Sequence, residues 1–400
     1  MIKRLLEKKL KEINRTIKRN YLDEKDIGLL GGISGVALFQ FYYSRYFNQD
    51  ASSEVLKECF ERINNGYNNL TYCNGIAGFG WLLDHLDQEN FIEHLNDDLL
   101  KEFDEDIYKF MIYSFDIKLY DFLQGAIGSA FYFLNRFKRT KSKKLKNDYK
   151  DKLFKFIQLL IEISEKEDIN KVKWNCEHFS REKQGYNLSL AHGIPGIIGF
   201  LTKLYKIDIF KAKTENLLKK AIKYLISHQN TGTEAFSLFP NWVYENGDAT
   251  GNSRLAWCYG DLGIGITLWN ASKELNDKSL KDTALIILKH ASKRKIPQVT
   301  WVNDIFICHG AYGNAQIFNR IYKETRDSVF KDAAEFWIQI GLSLSGYEYV
   351  NEDYMEWRIK DVSSISQVSI LNGSAGIGLV ILDYLTNLEL NWDECLMISN

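Results

Sequence analysis

The chain has 400 residues, 45% hydrophobic and 26% charged, with 51 Lys and Arg against 52 Asp and Glu. A net charge of -1 offers no global basic field for a nucleic acid. No apolar run approaches the roughly 18 residues of a membrane span. Charges run through the amino-terminal segment, so no signal peptide is read and the protein is expected in the cytoplasm. Six cysteines, at 59, 73, 176, 258, 308 and 395, are scattered along the chain. In that compartment they argue against a disulfide framework and leave metal binding or catalysis as the chemistry to look for.

The first predicted element is an amphipathic helix. Ile2, Leu5, Leu6, Leu10, Ile13 and Ile17 recur at three-to-four spacing, with eight Lys and Arg among the first twenty residues on the other faces. These cations, like those around Lys138 to Lys152, read first as a solvated face; a docking surface for a partner or an anionic membrane is the sharper reading. A repeat of G-x-x-G followed by an apolar run then sets in: GISG at Gly32, GIAG at Gly75, GAIG at Gly125, GIPG at Gly193, GDLG at Gly260, GAYG at Gly310 and GSAG at Gly373. The runs after them, such as VALFQFYY, AFYFL and IIGFLTKLY, are apolar on most faces, so each repeat supplies one buried helix and one amphipathic helix.

Little alternates with period two, which disfavours a sheet. Neither terminal repeat has the polar outer face of a solenoid cap. The expected architecture is therefore all-α, a closed α/α toroid (double-layered barrel) of seven helix-pair repeats, as one domain over 1–400. Insertions are expected near 166–188, 229–253 and 342–369, where substrate contacts often lie.

In such a ring all seven motifs meet at one rim, and the residues before each glycine should converge there. They are Asp121 in YDFLQG, His192 in LAHG, Arg254, Trp257, Cys258 and Tyr259 in SRLAWCYG, and Cys308 and His309 in FICHG. Cys258 and Cys308 share a register two residues before glycine. Two thiolates and an imidazole make a Cys₂His set that suits zinc and leaves a fourth position open. Taken singly, each cysteine is more often a small buried hydrophobe and each histidine a cap or core residue. Cys73 stands in the same register but three repeats away, and is expected to be structural. Cys176 and His178 are an alternative pair inside an insertion. His85, His94, His228 and His290 lie on helical patterns and read as surface or interface residues.

NLSLAHGIPGI, WCYG and CHG, in that order on a seven-fold glycine repeat, closely resemble the lanthionine synthetase C-like family, the lanthipeptide cyclases, from about Gly28 to Tyr384. The resemblance implies zinc held by Cys258, Cys308 and His309. It also implies His192 as acid/base, Asp121 as its partner carboxylate in a looser context, and Arg254 and Tyr259 as pocket residues. Ser189 stands where glycine is commoner, and a minor packing effect is expected. The implied activity is addition of peptide cysteine thiols to dehydroalanine or dehydrobutyrine in a lantibiotic precursor. The implied partners are a dehydrated precursor peptide with its leader, a separate dehydratase, and an export transporter that would bring the protein to the inner face of the membrane; no nucleic acid is expected. Three rivals stand beside this reading. One is a relative that adds glutathione or other thiols without forming a ring. The second is a glycan-processing toroid using Asp121 and Asp261. The third is a scaffold whose zinc has four protein ligands.

Overall fold

A computed structural model describes residues 2–93, 95–177, 184–232, 234–345 and 367–400. Its helices begin with α1 (Ile2–Asn20), α2 (Ser34–Phe47), α3 (Glu54–Asn64), α4 (Ile76–Gln88), α5 (Lys101–Asp116), α6 (Ala126–Arg139) and α7 (Lys143–Glu162). Four short strands follow, β1 (Glu165–Asp168), β2 (Lys171–Lys173), β3 (Cys176–Glu177) and β4 (Gln184–Asn187). Next come α8 (Ile194–Tyr205), α9 (Asp208–Ile226), β5 (Trp242–Tyr244), α10 (Asp261–Leu275) and α11 (Lys278–Lys293). The chain ends with α12 (Pro297–Thr300), α13 (Ala311–Thr325), α14 (Ser328–Leu344) and α15 (Ser374–Leu385).

The glycines explain where the buried helices start. Gly75, Gly125, Gly193, Gly260, Gly310 and Gly373 each cap the helix that follows, whereas α2 starts one residue later, after Ile33. The second glycine of the motif, from Gly35 through Gly313, admits backbone where a side chain would block it. A Cβ at Gly78 would collide with the carbonyl of Tyr72, one at Gly263 with that of Trp257, and one at Gly313 with that of Ile307. In each case the loop folds back onto the first turn of its own helix.

The chain divides into two compact units, Met1–Phe156 with Ser364–Cys395, and Ile157–Ser363 with Leu396–Asn400. In the first, α2, α4, α6 and α15 are buried on nearly every face. Helix α1 packs on α15 and α2 packs on both α15 and α4. Helix α1 buries Leu6, Leu10, Ile13 and Ile17, each contributing about 1.5–3 kcal/mol if fully transferred from water, and leaves Lys3, Arg4, Lys8, Lys11, Arg15, Lys18 and Arg19 exposed. Seven of the eight amino-terminal cations thus form a solvated face, whereas Lys9 is buried.

Backbone bonds link the loops before the glycines. Leu371 N–H donates to Leu30 O (3.0 Å), Leu30 N–H to Cys73 O (3.1 Å), and Cys73 N–H to Leu123 O (2.9 Å). Each of these residues stands two before its capping glycine or, for Leu30, before Gly32. His85, expected at a surface or interface, is instead in the core. It is 4% exposed, stacked on Trp81 at 4.8 Å between centroids, with Nε2 3.0 Å from the Tyr42 hydroxyl. Its helix is buried all round, so helical periodicity could not distinguish an outward face.

In the second unit α8, α10 and α13 are the buried helices, covered by α9, α11 and α14 respectively, with α10 touching α8 and α13. The expected insertions near 166–188 and 229–253 hold the strands. β1 pairs with β2, and β3–β4–β5 form a second antiparallel sheet. At two to four residues each they are too short to show alternation in sequence. Most of the third insertion, 346–366, lies outside the described residues, as do His94 and His178. Among the described residues no helix is long and apolar enough to cross a membrane.

Candidate metal centre

The three loops that enter α8, α10 and α13 are stitched side by side. Leu190 and Ala191 N–H donate to Cys258 O (2.9 and 3.4 Å), and Cys258 N–H donates to Cys308 O (3.2 Å). This continues the pattern of the first unit and fixes the two cysteines on neighbouring backbones. His309 follows Cys308, and the donor atoms of Cys258, Cys308 and His309 all lie within 4.8 Å of one another. Two sulfurs sharing a tetrahedral zinc at about 2.3 Å stand about 3.8 Å apart, a spacing that a set of this reach can hold.

Electrostatics favour a cation there. The Cys308 thiol is pushed far above its ordinary value, chiefly by its hydrogen bond with Cys258 and then by burial, because a second negative sulfur is disfavoured beside the first. His309 is raised to about 10, first by its hydrogen bond to Asp304 and then by that to Cys308. Cys258 is buried and Cys308 half-buried, and 32% of the His309 side chain is exposed, so the cluster opens on one side. Among the described residues the group has three members and no fourth His, Cys, Asp or Glu. Cys73 is buried in the first unit and is not part of it. The Cys176 side chain and His178 fall outside the description.

His192 is half-buried on the loop before α8. Its backbone N–H donates to Ser189 Oγ (3.0 Å), and Ser189 N–H donates to Asn187 Oδ1 (2.9 Å). Ser189 therefore does more than fill space: its hydroxyl, 0% exposed, holds the histidine's backbone. Asn187 Nδ2 also donates to the Tyr259 hydroxyl (3.2 Å), tying this loop to the residue after Cys258. Arg254 is half-buried six residues before Gly260, and its guanidinium pairs with no described carboxylate. Asp121 belongs to the first unit, where its Oδ1 accepts from Gln124 N (2.7 Å) and Gly125 N (3.1 Å) at the start of α6.

Asp261 serves another purpose than hydrolysis. Fully buried, it accepts from Leu238 N (2.9 Å), Phe239 N (3.0 Å) and Arg294 Nη1 (3.1 Å). Arg294 Nη2 donates in turn to Ser253 O and Val299 O, both 2.6 Å. The pair clamps the 229–253 insertion onto the loop carrying Arg254 and Cys258, which removes one of the two acids a glycan-processing site would need.

Asp304 escaped the sequence reading. His309 Nε2 donates to Asp304 Oδ2 at 2.9 Å. The signal was present, since the residue six before the capping glycine is Asn69, Asn187 or Asp304 in three repeats. In each, the side-chain Oδ1 accepts from the N–H two residues on: Thr71 (3.0 Å), Ser189 (2.9 Å) and Phe306 (2.8 Å).

The model of the family "Lanthionine synthetase C-like protein" matches residues 23–397. Among solved structures, nisin cyclase is similar over 99% of this chain and 97% of its own, with a TM-score of 0.73 at 20% identity. At that identity the likeness carries the fold, the expected α/α toroid, and not the chemistry.

Proposed function

Because the chain belongs to the lanthionine synthetase C-like family, we propose that it is a zinc-dependent lanthipeptide cyclase. It would add cysteine thiols of a dehydrated precursor peptide to dehydroalanine or dehydrobutyrine, closing lanthionine or methyllanthionine rings. The observation that carries this reading is the meeting of Cys258, Cys308 and His309, with all donor atoms within 4.8 Å and one side open.

A free thiol has a pKa near 8.5, so only a few per cent is ionised at neutral pH. Zinc held by Cys258, Cys308 and His309 would supply an incoming cysteine already deprotonated and oriented, while two sulfur ligands keep that sulfur electron-rich. Addition of sulfur to the β-carbon moves an electron pair onto the neighbouring amide oxygen as an enolate, and the α-carbon must then take a proton. His192 is the proposed donor, its loop fixed by Ser189 and bonded to Cys258 O. Arg254 is available to the enolate oxygen. Tyr259, held by Asn187, lines the same loops. Asp121 keeps the carboxylate role implied by the family, and Asp121→Asn should retain zinc and lose rate.

The reading implies a precursor peptide with a leader and a separate dehydratase. An export transporter, with attachment at the inner face of the membrane, belongs to the same proposal. The test is mass spectrometry with thiol blocking on a dehydrated peptide: ring closure keeps the mass and consumes free thiols. Cys258→Ala or Cys308→Ala should lose the metal and the activity. His192→Ala should keep zinc and lose about 10²- to 10⁴-fold in rate. Adducts with added glutathione in place of rings would support the thiol-adding rival. Normal zinc binding by both cysteine variants would overturn the ligand assignment.

A further inference from the structure

The register six residues before the capping glycine contains an internal comparison. In repeats two and four it holds Asn69 and Asn187, whose Oδ1 atoms close the turn onto Thr71 and Ser189. The turn thus needs only one side-chain oxygen, and an amide supplies it. In repeat six the same position is Asp304, whose Oδ1 makes the same turn bond to Phe306 N (2.8 Å). The atom that distinguishes aspartate from asparagine is the second oxygen, and here Oδ2 lies 2.9 Å from His309 Nε2. In repeat one the register holds Asp26, which accepts from the Tyr67 hydroxyl (2.9 Å); among the described residues of this register, only the second oxygen of Asp304 meets a histidine N–H.

We infer that Asp304 is a positioning residue for the metal centre: it holds His309 by Nε2–H so that Nδ1 is the nitrogen presented to the ion shared with Cys258 and Cys308. The inference rests on the proposed zinc reading and adds to it the ligating atom and the residue that selects it. Asp304 reaches His309 from within the same loop, five residues back, and that loop is pinned at both ends. Ala311 N–H donates to Asp304 O (3.0 Å) and Cys258 N–H to Cys308 O (3.2 Å). The imidazole is therefore fixed in orientation by a carboxylate whose own place is set by the turn. An outer carboxylate of this kind fixes the histidine tautomer and raises its basicity as a ligand.

Asp304→Asn is the discriminating change, because asparagine builds this turn in two sister repeats. With its Oδ1 on Phe306 N, the new Nδ2–H would face Nε2 and favour the tautomer protonated on Nδ1, the wrong one for binding. Zinc affinity of the full-length protein, read by competition with a chromogenic chelator, should fall about 10- to 100-fold. The cobalt(II) absorption spectrum should change, while the far-ultraviolet circular dichroism of the metal-free protein should stay as in wild type, because asparagine keeps the turn. A second measurement uses wild type alone: long-range ¹⁵N spectra of the zinc-loaded, histidine-labelled protein should show His309 metallated at Nδ1 with its proton on Nε2. Metal on Nε2, or unchanged zinc affinity and cobalt spectrum in Asp304→Asn, would overturn the inference while leaving the zinc reading intact. A wild-type protein that binds no zinc would remove the zinc reading itself.

Discussion

His85 shows what burial does to a single titratable group. Enclosed between Trp81 and Tyr42, it is lowered to about 4, first by desolvation; Glu89 and Glu394 pull the other way and Arg45 adds to the lowering. The folded protein therefore prefers the neutral ring. Above about pH 6.5 the ring is neutral in both folded and unfolded chains and its contribution is complete. Between pH 6.5 and 4 the unfolded chain takes up a proton that the folded one refuses, so stability falls as pH falls. The slope is about 1.4 kcal/mol per unit and the total about 3 kcal/mol. Urea unfolding at pH 7, 5.5 and 4.5 should show this arm, and His85→Gln should flatten it. Ser189 is a second test at this scale. Ser189→Ala leaves the His192 N–H without its buried partner and should cost about 1–3 kcal/mol in chemical unfolding. The turnover of the proposed reaction should also drop while zinc content is unchanged, because the loop that carries His192 loses its internal tie.

At the level of elements, the clamp formed by Asp261 and Arg294 joins α10 to the end of α11 and gathers the insertion before them. Asp261 collects two backbone N–H groups and a guanidinium in a site with no exposure, and Arg294 reaches the carbonyls of Ser253 and Val299. Removing one member strands a buried charge, so Asp261→Ala should destabilise by about 3–5 kcal/mol. Limited proteolysis should then cut near Leu238 and Phe239, whose backbone N–H groups lose their acceptor; equal protection in variant and wild type would refute the clamp. The glycine repeat made the seven buried helices legible in the sequence, because a fully apolar run behind G-x-x-G has few other uses. The register that brings Cys258 and Cys308 together was legible for the same reason, since they repeat one position in successive motifs. Asp304 and Asn187 were harder to see, because asparagine or aspartate in a turn is an ordinary local choice until the partner of its second atom is known. The strands β1 to β5 were hidden by their brevity.

Over the whole chain, closure could be argued from the sequence only by the absence of polar caps; within the first unit the structure adds contacts between the first and last repeats. Helix α1 covers α15, and Leu371 N–H donates to Leu30 O, so the last repeat pairs with the first. The carboxy-terminal residues were not read as important at all, since a short segment after the last repeat has no periodicity to interpret. Yet Leu396, Met397 and Ile398 are buried, and backbone carbonyls of this segment take hydrogen bonds from the second unit's core. Trp257 Nε1 donates to Leu396 O (2.9 Å), Asn270 Nδ2 to Ile398 O (2.9 Å), and Lys203 Nζ to Ser399 O (2.8 Å). All three donors are buried, and Trp257 immediately precedes Cys258. Deleting Leu396–Asn400 would leave an indole, an amide and an ammonium without these acceptors, at about 1–3 kcal/mol each and more for the charge. It would also expose the apolar floor beneath α8 and α10. Since Trp257, one of the donors that would lose its acceptor, adjoins a proposed ligand, the shortened chain should melt at lower temperature and bind zinc more weakly. Trp257→Phe, which removes only the indole N–H, should lose a smaller share of both. A truncated chain with wild-type melting and zinc affinity would mean that the segment merely rests on the core, and the support it gives the Cys258 loop would have to be abandoned.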